Sequence, residues 1–311
     1  YRRSYETVLV GEKPGAACVS AKALHDIVKG LPADDVRLRL LKTRVEIAAG
    51  SACFELVTLP VHDFPKVPDA TEVTFGAVES ALLVDLIAKT IHACATDETR
   101  PHLCGALLAT DTGAVRMVTS DGHRLAKMER AWNGGPAVPQ GVIVPRKGLV
   151  AIQRVLAGAG ETCEMGLRHG LLFVRVPGAL LAVRLVAAQF PPWERVVPVD
   201  NDKYLTVGRK RFLEAVERVS LLSRGNGRSG VRLDLEDGRL RLSSEAEDLG
   251  EGHEEINVAY QGPALSLGFA AKYLTDLLGA IETDEVRMEF AGELDAALVR
   301  PVGSDGQIGV V

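Results

Sequence analysis

The chain has 311 residues, of which 47% are hydrophobic and 25% charged, and its formal net charge is −5 at pH 7. This composition is typical of two or three globular domains, and we expect neither a membrane span, because no apolar run reaches about 18 residues, nor a signal peptide. The negative net charge by itself argues against a protein that binds nucleic acid.

The cysteines indicate a reducing compartment. Their number is odd and none of them forms a C-x-x-C pair, which favours free thiols over a disulfide framework. We therefore expect a cytoplasmic protein. The five are Cys18, Cys53, Cys94, Cys104 and Cys163.

A pattern that returns every 125 residues organises the chain. The stretch 141–156, GVIVPRKGLVAIQRVL, predicts a short strand that runs through Pro145 into an amphipathic helix. Its Lys147 recurs as Lys22 and as Lys272, each within a similar helical pattern. A period of this length is too long for a solenoid unit and indicates repeated domains.

Helices alternate with groups of short strands along the chain. Each predicted helix is followed by apolar runs with turn residues between them, which favours antiparallel strands. Each domain should therefore contain two similar halves of one helix and a few strands, an α+β fold. The predicted helices are 20–31, 76–92, 145–158, 207–224 and 269–282. The predicted strands are 1–10, 36–40, 45–49, 54–59, 105–109, 115–119, 124–131, 142–144, 163–167, 171–176, 180–185, 230–235, 239–243, 253–259, 286–290, 294–300 and 308–311.

The repeat divides the chain into three domains, at 1–70, 71–198 and 199–311. The Pro-rich stretches 63–70 and 190–202 are expected to be linkers between them. Extending the period backwards places the start of a complete first domain roughly 50 residues before Tyr1. We therefore expect the first half of that domain to be missing.

Positive and negative charges are distributed unevenly between the predicted helices and the rest of the chain. The predicted helices hold twelve Lys and Arg against seven Asp and Glu, a net of +5, so the rest of the chain carries −10. If the helices share one surface, that surface is basic, and the cations at 146–147 and 209–211 favour contact with phosphate. No aromatic residues lie among them, so binding would be to the nucleic-acid backbone. The alternative is an ordinary solvated helix face.

Two motifs suggest chemistry but lack its context. Residues 225–230, GNGRSG, match G-x-G-x-x-G, yet a helix precedes them and a strand follows, the reverse of a dinucleotide site. Ser120, Asp121 and His123 have the residue types of a catalytic triad, but near neighbours in one loop cannot align nucleophile, base and orienting group. We interpret both as loops, the second also as a candidate recognition surface.

Two His-x-Cys pairs raise the question of zinc. His92 and Cys94 lie at the end of a predicted helix, and His102 and Cys104 precede a strand. These are zinc-ligand types, but no spacing closes a four-ligand site. Core cysteines are the favoured interpretation, and we predict no metal, no cofactor and no catalytic residues.

Five stretches resemble the bacterial sliding clamp family, the beta subunit of DNA polymerase III, and the resemblance covers essentially the whole chain. They are DETRPHLCG at 97–105, SDGHRLA at 120–126, VIVPRKG at 142–148, FPPWERVVP at 190–198 and GVRL at 230–233. The resemblance implies three DNA-clamp domains per chain and a head-to-tail homodimer of six domains. It also implies a non-catalytic ring that encircles duplex DNA and tethers the replicative polymerase.

The resemblance and the charge placement together give the candidate DNA-facing residues. Arg146 and Lys147 match family positions at the pore of the ring. Arg154 and Lys210 are added from the charge placement alone. Because a ring must slide, these contacts should be non-specific and directed at phosphate.

The resemblance further implies a cleft that accepts a short apolar peptide motif from the polymerase alpha subunit, the clamp loader, other polymerases and repair proteins. Its apolar residues would take Leu and Phe anchors, and its arginines would hold polar backbone or carboxylate. The family's last few residues, beyond Val311, are missing, and Ala270 stands where members can carry a polar residue. The predicted lining is Leu103, Ser120, Gly122, His123, Arg124, Leu125, Pro191, Arg195, Val196, Tyr273, Val310 and Val311.

The dimer contact should pair an edge strand of the first domain, through Phe54 and Leu56, with Leu221 and Leu222 of the partner's third domain. Such a heterologous contact closes a ring when the rotation is right. The alternative function is a repeat-domain scaffold that binds only proteins and does not encircle DNA.

Overall fold

The computed structural model describes residues 2–3, 15–32, 35–64, 68–222, 230–246 and 249–311. They form two compact units, one of Ser4–Asp69 and one of Tyr1–Arg3 with Ala70–Val311. The helices in these ranges are α1 Ala21–Gly30, α2 Ser80–Thr90, α3 Arg146–Leu156, α4 Arg209–Val219 and α5 Ala271–Ala280. The strands are β1 Arg2–Arg3, β2 Arg37–Leu40, β3 Arg44–Ala49, β4 Ala52–Val57, β5 Gly76–Glu79, β6 Gly105–Asp111, β7 Ala114–Ser120, β8 Leu125–Ala131, β9 Val142–Pro145, β10 Thr162–Arg168, β11 Leu171–Val176, β12 Ala179–Arg184, β13 Lys203–Gly208, β14 Gly230–Glu236, β15 Arg239–Ala246, β16 Gly250–Asn257, β17 Ala259–Tyr260, β18 Leu265–Ala270, β19 Glu285–Phe290, β20 Leu298–Pro301 and β21 Gln307–Val310.

The unit Ser4–Asp69 contains α1 and an antiparallel sheet in the order β2-β3-β4. Ser20 caps α1, its Oγ accepting a hydrogen bond from the amide of Ala23 at 3.4 Å. Ile47, in the central strand, is fully buried. Strand β4 is an edge of this sheet and carries Phe54, which is 42% exposed.

The larger unit contains three antiparallel sheets. Their orders are β1-β12-β11-β10-β5, then β17-β13-β19-β20-β21-β8-β7-β6-β9, then β16-β15-β14-β18. The nine-stranded sheet is continuous because β8 pairs with β21, with Leu125 opposite Val310 and Lys127 opposite Ile308. Residues far apart in sequence therefore lie on neighbouring strands of one sheet.

Four helices pack in the spatial order α3, α2, α5, α4. Helices α2 and α3 share a core with the five- and nine-stranded sheets, which includes Leu86, Leu149 and Val174. Helices α4 and α5 share a second core with the strands around them, centred on Phe212 and Leu274. The apolar stripe of each helix thus faces a sheet and leaves its polar side outward.

The predicted repeat is present in the structure. Helices α1, α3 and α5 begin at Ala21, Arg146 and Ala271, two intervals of 125 residues. The predicted helices extended too far, however, because 76–79, 207–208 and 269–270 belong to strands that lead into them.

Two predicted strands match the described structure only in part. The strand predicted at 294–300 begins only at Leu298, because a turn precedes it and leaves Leu294 fully exposed. Of the strand predicted at 1–10, Arg2–Arg3 pair with β12, and 4–10 lie outside the described residues. Of the glycine-rich motif, 225–229 also lie outside them. No helix in the described ranges is long and apolar enough to cross a membrane.

Candidate functional site

One end of the junction between β8 and β21 carries a group of buried apolar side chains, which we call the cleft floor: Leu103, Leu125 and Val310. Leu125 and Val310 are paired across the two strands, and all three side chains are at most 6% exposed. They belong to one hydrophobic cluster that also contains Phe190 and Ile308. The sequence-predicted residues from positions 103, 125 and 310 are therefore brought together.

A tight turn at 120–124 forms one side of this floor. The Ser120 hydroxyl donates to the carbonyl of Arg124 at 2.8 Å and accepts from the amide of Gly122 at 3.1 Å. Gly122 has a φ of +91°, which L side chains rarely adopt. Arg100 donates from Nη1 to the carbonyl of Asp121 at 2.9 Å, so the turn is held from outside as well. His123 is exposed at its tip.

This geometry excludes the triad interpretation. The Ser120 hydroxyl donates to a backbone carbonyl, and Asp121 Oδ1 accepts from the backbone amide of His123 at 3.0 Å. These are the local side chain to backbone bonds of a turn. The loop is therefore a hydrogen-bonded turn and not a catalytic triad.

Arg124 holds the turn to α5 and is not an open anion-binding group. Its side chain is 7% exposed, and its nitrogens donate to Asp121 at 3.1 Å, Asp276 at 2.7 Å and the carbonyl of His92 at 2.7 Å. Its guanidinium carbon also lies 4.5 Å from the ring centroid of Tyr273. We expected this arginine to hold polar groups of a bound peptide. Its nitrogens are instead occupied within the chain, where it orients Tyr273 and the turn.

The linker packs against the cluster of the cleft floor through Phe190, Trp193 and Val197. Pro191, Arg195 and Val196 are exposed, and Val196 is 56% exposed despite being apolar. Val311 is half-buried, and its backbone pairs with Ala297 at 2.8 and 3.0 Å. An apolar floor with an exposed arginine and an exposed valine at its rim suits a short apolar peptide.

Burial determines the chemistry of the two His-x-Cys positions. It lowers the pKa of His92 to about 4, with a further lowering from Arg124. It also raises the pKa of Cys94 to about 12, so this thiol stays protonated at neutral pH. The thiol of Cys104 donates to the carbonyl of Asp97 at 3.0 Å, and all five cysteines of the chain are free.

The four predicted DNA-facing cations lie on the outer helices α3 and α4 and are exposed: Arg146, Lys147, Arg154 and Lys210. Lys147 lies 3.5 Å from Glu98, and Lys210 lies 3.9 Å from Glu214. Pairs between such exposed side chains contribute little. The cations therefore remain available to a polyanion.

Two of these cations lie at the start of a helix, where a positive charge is unfavourable. Arg146 and Lys147 occupy the first turn of α3, and none of α1 to α5 has an acidic residue in its first turn. Cations there oppose the helix dipole, at a cost of roughly 0.3–1 kcal/mol each. Helix stability does not explain them, whereas an anionic ligand near these helix ends would.

Other cations counted in the predicted helices are bound to groups of the fold itself, and one of them, Lys89, is buried. Lys89 is bound to Glu282 at 2.6 Å, Arg218 to Glu254 at 2.7 Å and Lys272 to Asp276 at 2.9 Å. Arg209 donates to backbone carbonyls at 3.0 and 3.3 Å. The basic surface is therefore smaller than the sequence count of twelve suggested.

The predicted dimer residues lie beside the edges of two sheets. Phe54 and Leu56 are on edge strand β4 of the smaller unit. Leu221 is 58% exposed just after α4, and Leu222 lies against Gly252 of edge strand β16. Among the described residues, each unit thus has a strand at the edge of its sheet with apolar side chains next to it.

Sequence reasoning missed three residues that hold the cleft: Arg100, Asp276 and Trp193. Asp276 lies 152 residues from Arg124, so no spacing could reveal the pair. Trp193 had a signal, a large aromatic residue in a Pro-rich linker. It packs against the cluster that contains the cleft floor.

The chain matches three consecutive protein families. They are the N-terminal domain of the DNA polymerase III beta subunit over residues 4–68, the central domain over 77–192 and the C-terminal domain over 194–310. A beta sliding clamp of Caulobacter vibrioides is 36% identical over 294 residues, covering 92% of this chain and 78% of that protein.

Solved structures match equally well. The Caulobacter crescentus beta sliding clamp, with polyethylene glycol bound in a region ascribed to beta-motif tethering, aligns with a TM-score of 0.89 at 34% identity over 96% of this chain and 82% of that one. The Pseudomonas aeruginosa sliding clamp bound to griselimycin aligns with a TM-score of 0.86 at 33% identity, over 96% and 81%.

Proposed function

The chain belongs to the DNA polymerase III beta subunit family of bacterial sliding clamps, and from this premise we propose that it encircles duplex DNA as a ring-shaped homodimer and tethers the replicative polymerase. The three consecutive family matches between residues 4 and 310 carry this conclusion. A sliding clamp is a processivity subunit without catalysis, so the chain is not an enzyme. Nothing in the matches favours a scaffold that does not encircle DNA.

The chain is divided into clamp domains at 1–70, 71–198 and 199–311. The 125-residue repeat of helix starts and the separate family matches support these boundaries. In the homodimer, the two chains would supply six such domains. The protein would act in the cytoplasm, where bacterial replication takes place.

Duplex DNA contacts the outer helices through Arg146, Lys147, Arg154 and Lys210. Their exposure, and the absence of acidic residues from the first turns of α1 to α5, support this assignment. Contacts of this kind hold phosphate without reading bases, which permits sliding.

The ring closes by pairing of β4 in one chain with β16 in its partner. Both strands are sheet edges. The apolar residues beside them, Phe54 and Leu56 on one side and Leu221 and Leu222 on the other, would be buried by this contact. The interface is heterologous, and two copies of it close a ring.

The cleft floor receives a short apolar peptide motif carried by the polymerase alpha subunit, the clamp loader, other polymerases and repair proteins. The buried floor and exposed rim support an extended peptide whose apolar anchors enter the cleft. Ser120, Gly122, His123, Arg124 and Leu125 form one wall. Tyr273, the linker residues Pro191, Arg195 and Val196, and the terminal Val310 and Val311 complete it.

Retention on DNA of defined topology tests the ring. The protein is loaded by its clamp loader onto nicked circular DNA and then passed through a gel-filtration column. We expect it to elute with the circle and to be released when the circle is linearised, because a ring slides off a free end. A protein that is monomeric and is not retained on the circle would overturn the proposal.

A second experiment tests the cleft. Replacing Leu103 with Asp and Arg195 with Ala should abolish binding of a peptide from the C-terminus of the polymerase alpha subunit and leave dimerisation unchanged. Unchanged peptide binding would refute the cleft assignment. Circular dichroism of the same variant establishes that it is folded.

A further inference from the structure

A lysine interrupts an apolar row on the face of the nine-stranded sheet that carries the cleft floor. The strand registers place Ile143, Leu107, Val118, Lys127 and Ile308 side by side across β9, β6, β7, β8 and β21. The other four are apolar and belong to or pack against the cluster of the cleft floor. A charged residue within such a row requires compensation.

Two groups compensate this lysine. The ammonium of Lys127 lies 3.1 Å from a carboxylate oxygen of Glu129 and 5.6 Å from the ring centroid of Trp193. Its side chain is only 19% exposed, and a partly desolvated ammonium over an indole is the favourable setting for a cation–π contact. The lysine therefore holds the indole at a fixed place above the sheet.

Trp193 belongs to the linker that supplies one side of the cleft. Phe190, Trp193 and Val197 pack on the apolar cluster, and Pro191, Arg195 and Val196 are exposed. No side chain caps the short 3-10 turn Trp193–Val196. Packing of the inward residues therefore determines where the outward residues stand.

We propose that Trp193 is a positioning residue of the peptide cleft. Its indole, held by Lys127, fixes the turn that presents Arg195 and Val196 to the bound peptide. This inference rests on the proposed function of the cleft. It means that loss of the Lys127–Trp193 contact should weaken peptide binding in a protein that is still folded.

The test compares Lys127→Met with Lys127→Arg. Methionine completes the apolar row and removes the charge, whereas arginine can stack on the indole and retain the contact. Glu129 keeps a cationic partner in both, because Arg116 binds it at 2.7 Å. With the C-terminal peptide of the polymerase alpha subunit as probe, Lys127→Met should weaken binding roughly threefold to tenfold, and Lys127→Arg should restore most of the affinity.

The fluorescence of Trp193 also provides a spectroscopic signal of peptide binding, which we would not expect if this residue only stabilised the fold. The chain has two tryptophans, and the other, Trp132, lies in the separate core of α2 and α3. The peptide should change the tryptophan emission of the wild type, and Trp193→Phe should abolish that change while binding nearly as tightly. Trp193→Leu, which lacks an aromatic face, should bind as weakly as Lys127→Met.

A matched control removes a cation–π contact elsewhere. Arg175 lies 3.7 Å from the ring centroid of Phe75 on the five-stranded sheet, and Arg175→Met should leave peptide affinity unchanged. Wild-type affinity in both Lys127→Met and Trp193→Leu would overturn the inference while leaving the cleft intact. A wild-type protein that does not bind the peptide would instead overturn the cleft itself.

Discussion

The guanidinium of Arg124 lies 2.7 Å from the carboxylate of Asp276. The two residues are 152 positions apart, on the turn after β7 and on α5. With Arg124 7% and Asp276 23% exposed, water competes weakly for either group. The pair therefore fixes one wall of the cleft to a helix that begins in another repeat.

Asp276→Asn should lower the free energy of unfolding by about 1–3 kcal/mol at pH 7, because it leaves a buried guanidinium with one carboxylate fewer. Urea unfolding followed by circular dichroism measures this difference. Asp237→Asn, in an exposed turn, is the control and should change little. Equal stability of Asp276→Asn and the wild type would show that the pair contributes nothing.

The contribution of the Arg124–Asp276 pair to stability should depend on pH. Burial works to raise the pKa of Asp276, but hydrogen bonds from Lys272 and Arg124 outweigh it and hold the pKa below its usual value. A carboxyl with a lowered folded pKa stabilises the fold above the unfolded pKa, about 3.9, and loses this contribution as the pH falls. The difference in free energy of unfolding between the wild type and Asp276→Asn should therefore become smaller below about pH 4.

His92 should make the protein less stable in mild acid. Its pKa is lowered from 6.5 to about 4 by burial and by Arg124, and its Nδ1 is buried without a hydrogen-bond partner in the described part of the chain. The unfolded chain therefore binds a proton between pH 6.5 and 4 that the folded chain refuses, so stability falls as the pH drops through this range.

Replacing His92 with Leu should flatten this dependence. Urea midpoints at pH 7.5 and 5.0 should differ in the wild type and differ much less in His92→Leu. His25→Asn is the control, since the His25 side chain is 72% exposed, and it should keep the wild-type slope. A His92→Leu variant with the full wild-type slope would assign the acid sensitivity to other groups.

The helices and the repeat could be predicted from the sequence because local periodicity encodes them. Leu149, Ile152 and Leu156 recur at helical spacing on α3 and are all buried. The strands that lead into α2, α4 and α5 were missed, since short apolar runs next to a helix carry no separate period. Their pairing partners are set by the fold as a whole.

The cleft was predictable only in part, for a related reason. The motif SDGHRLA identified the turn, but the bonds of Arg124 to Asp276 and to the carbonyl of His92 depend on long-range packing. Its burial could not be inferred from a polar motif in a loop. The row that contains Lys127 likewise exists only because β8 pairs with β21.

The two members of the ion pair made by the buried lysine of α2 should differ in what their replacement does to stability. Lys89 is 6% exposed and bound at 2.6 Å to Glu282, which is 85% exposed. Glu282→Gln leaves the ammonium buried without its carboxylate and should cost about 1–2 kcal/mol, whereas Lys89→Met removes charge and burial penalty together and should be nearly neutral. Thermal unfolding compares the two. Greater destabilisation by Lys89→Met would contradict this account.

The exposed cations of α3 should set the salt dependence of DNA binding. Replacing Arg146, Lys147 and Arg154 with Gln should weaken binding to short linear duplex DNA. The slope of log affinity against log salt should also fall by about one for each phosphate that the variant no longer neutralises. Fluorescence anisotropy at several salt concentrations measures both.

A triple variant with the same change in charge is available as a control. Arg168, Arg175 and Arg184 lie on strands of the five-stranded sheet rather than on helices, and their replacement by Gln should leave the slope near its wild-type value. Equal slopes for the two triple variants would mean that net charge, rather than the α3 surface, governs binding.

Ring closure should depend on the residues beside β16. Leu221 is 58% exposed, and Leu221→Glu would place a carboxylate in the contact with the partner's Phe54, next to the acidic strand β16. We expect this variant to shift from dimer to monomer in sedimentation equilibrium and to lose retention on nicked circular DNA. Val199→Glu, at a position that is 86% exposed in a linker, should stay dimeric. Because burial of the glutamate against the partner opposes association, a dimeric Leu221→Glu would place the interface elsewhere.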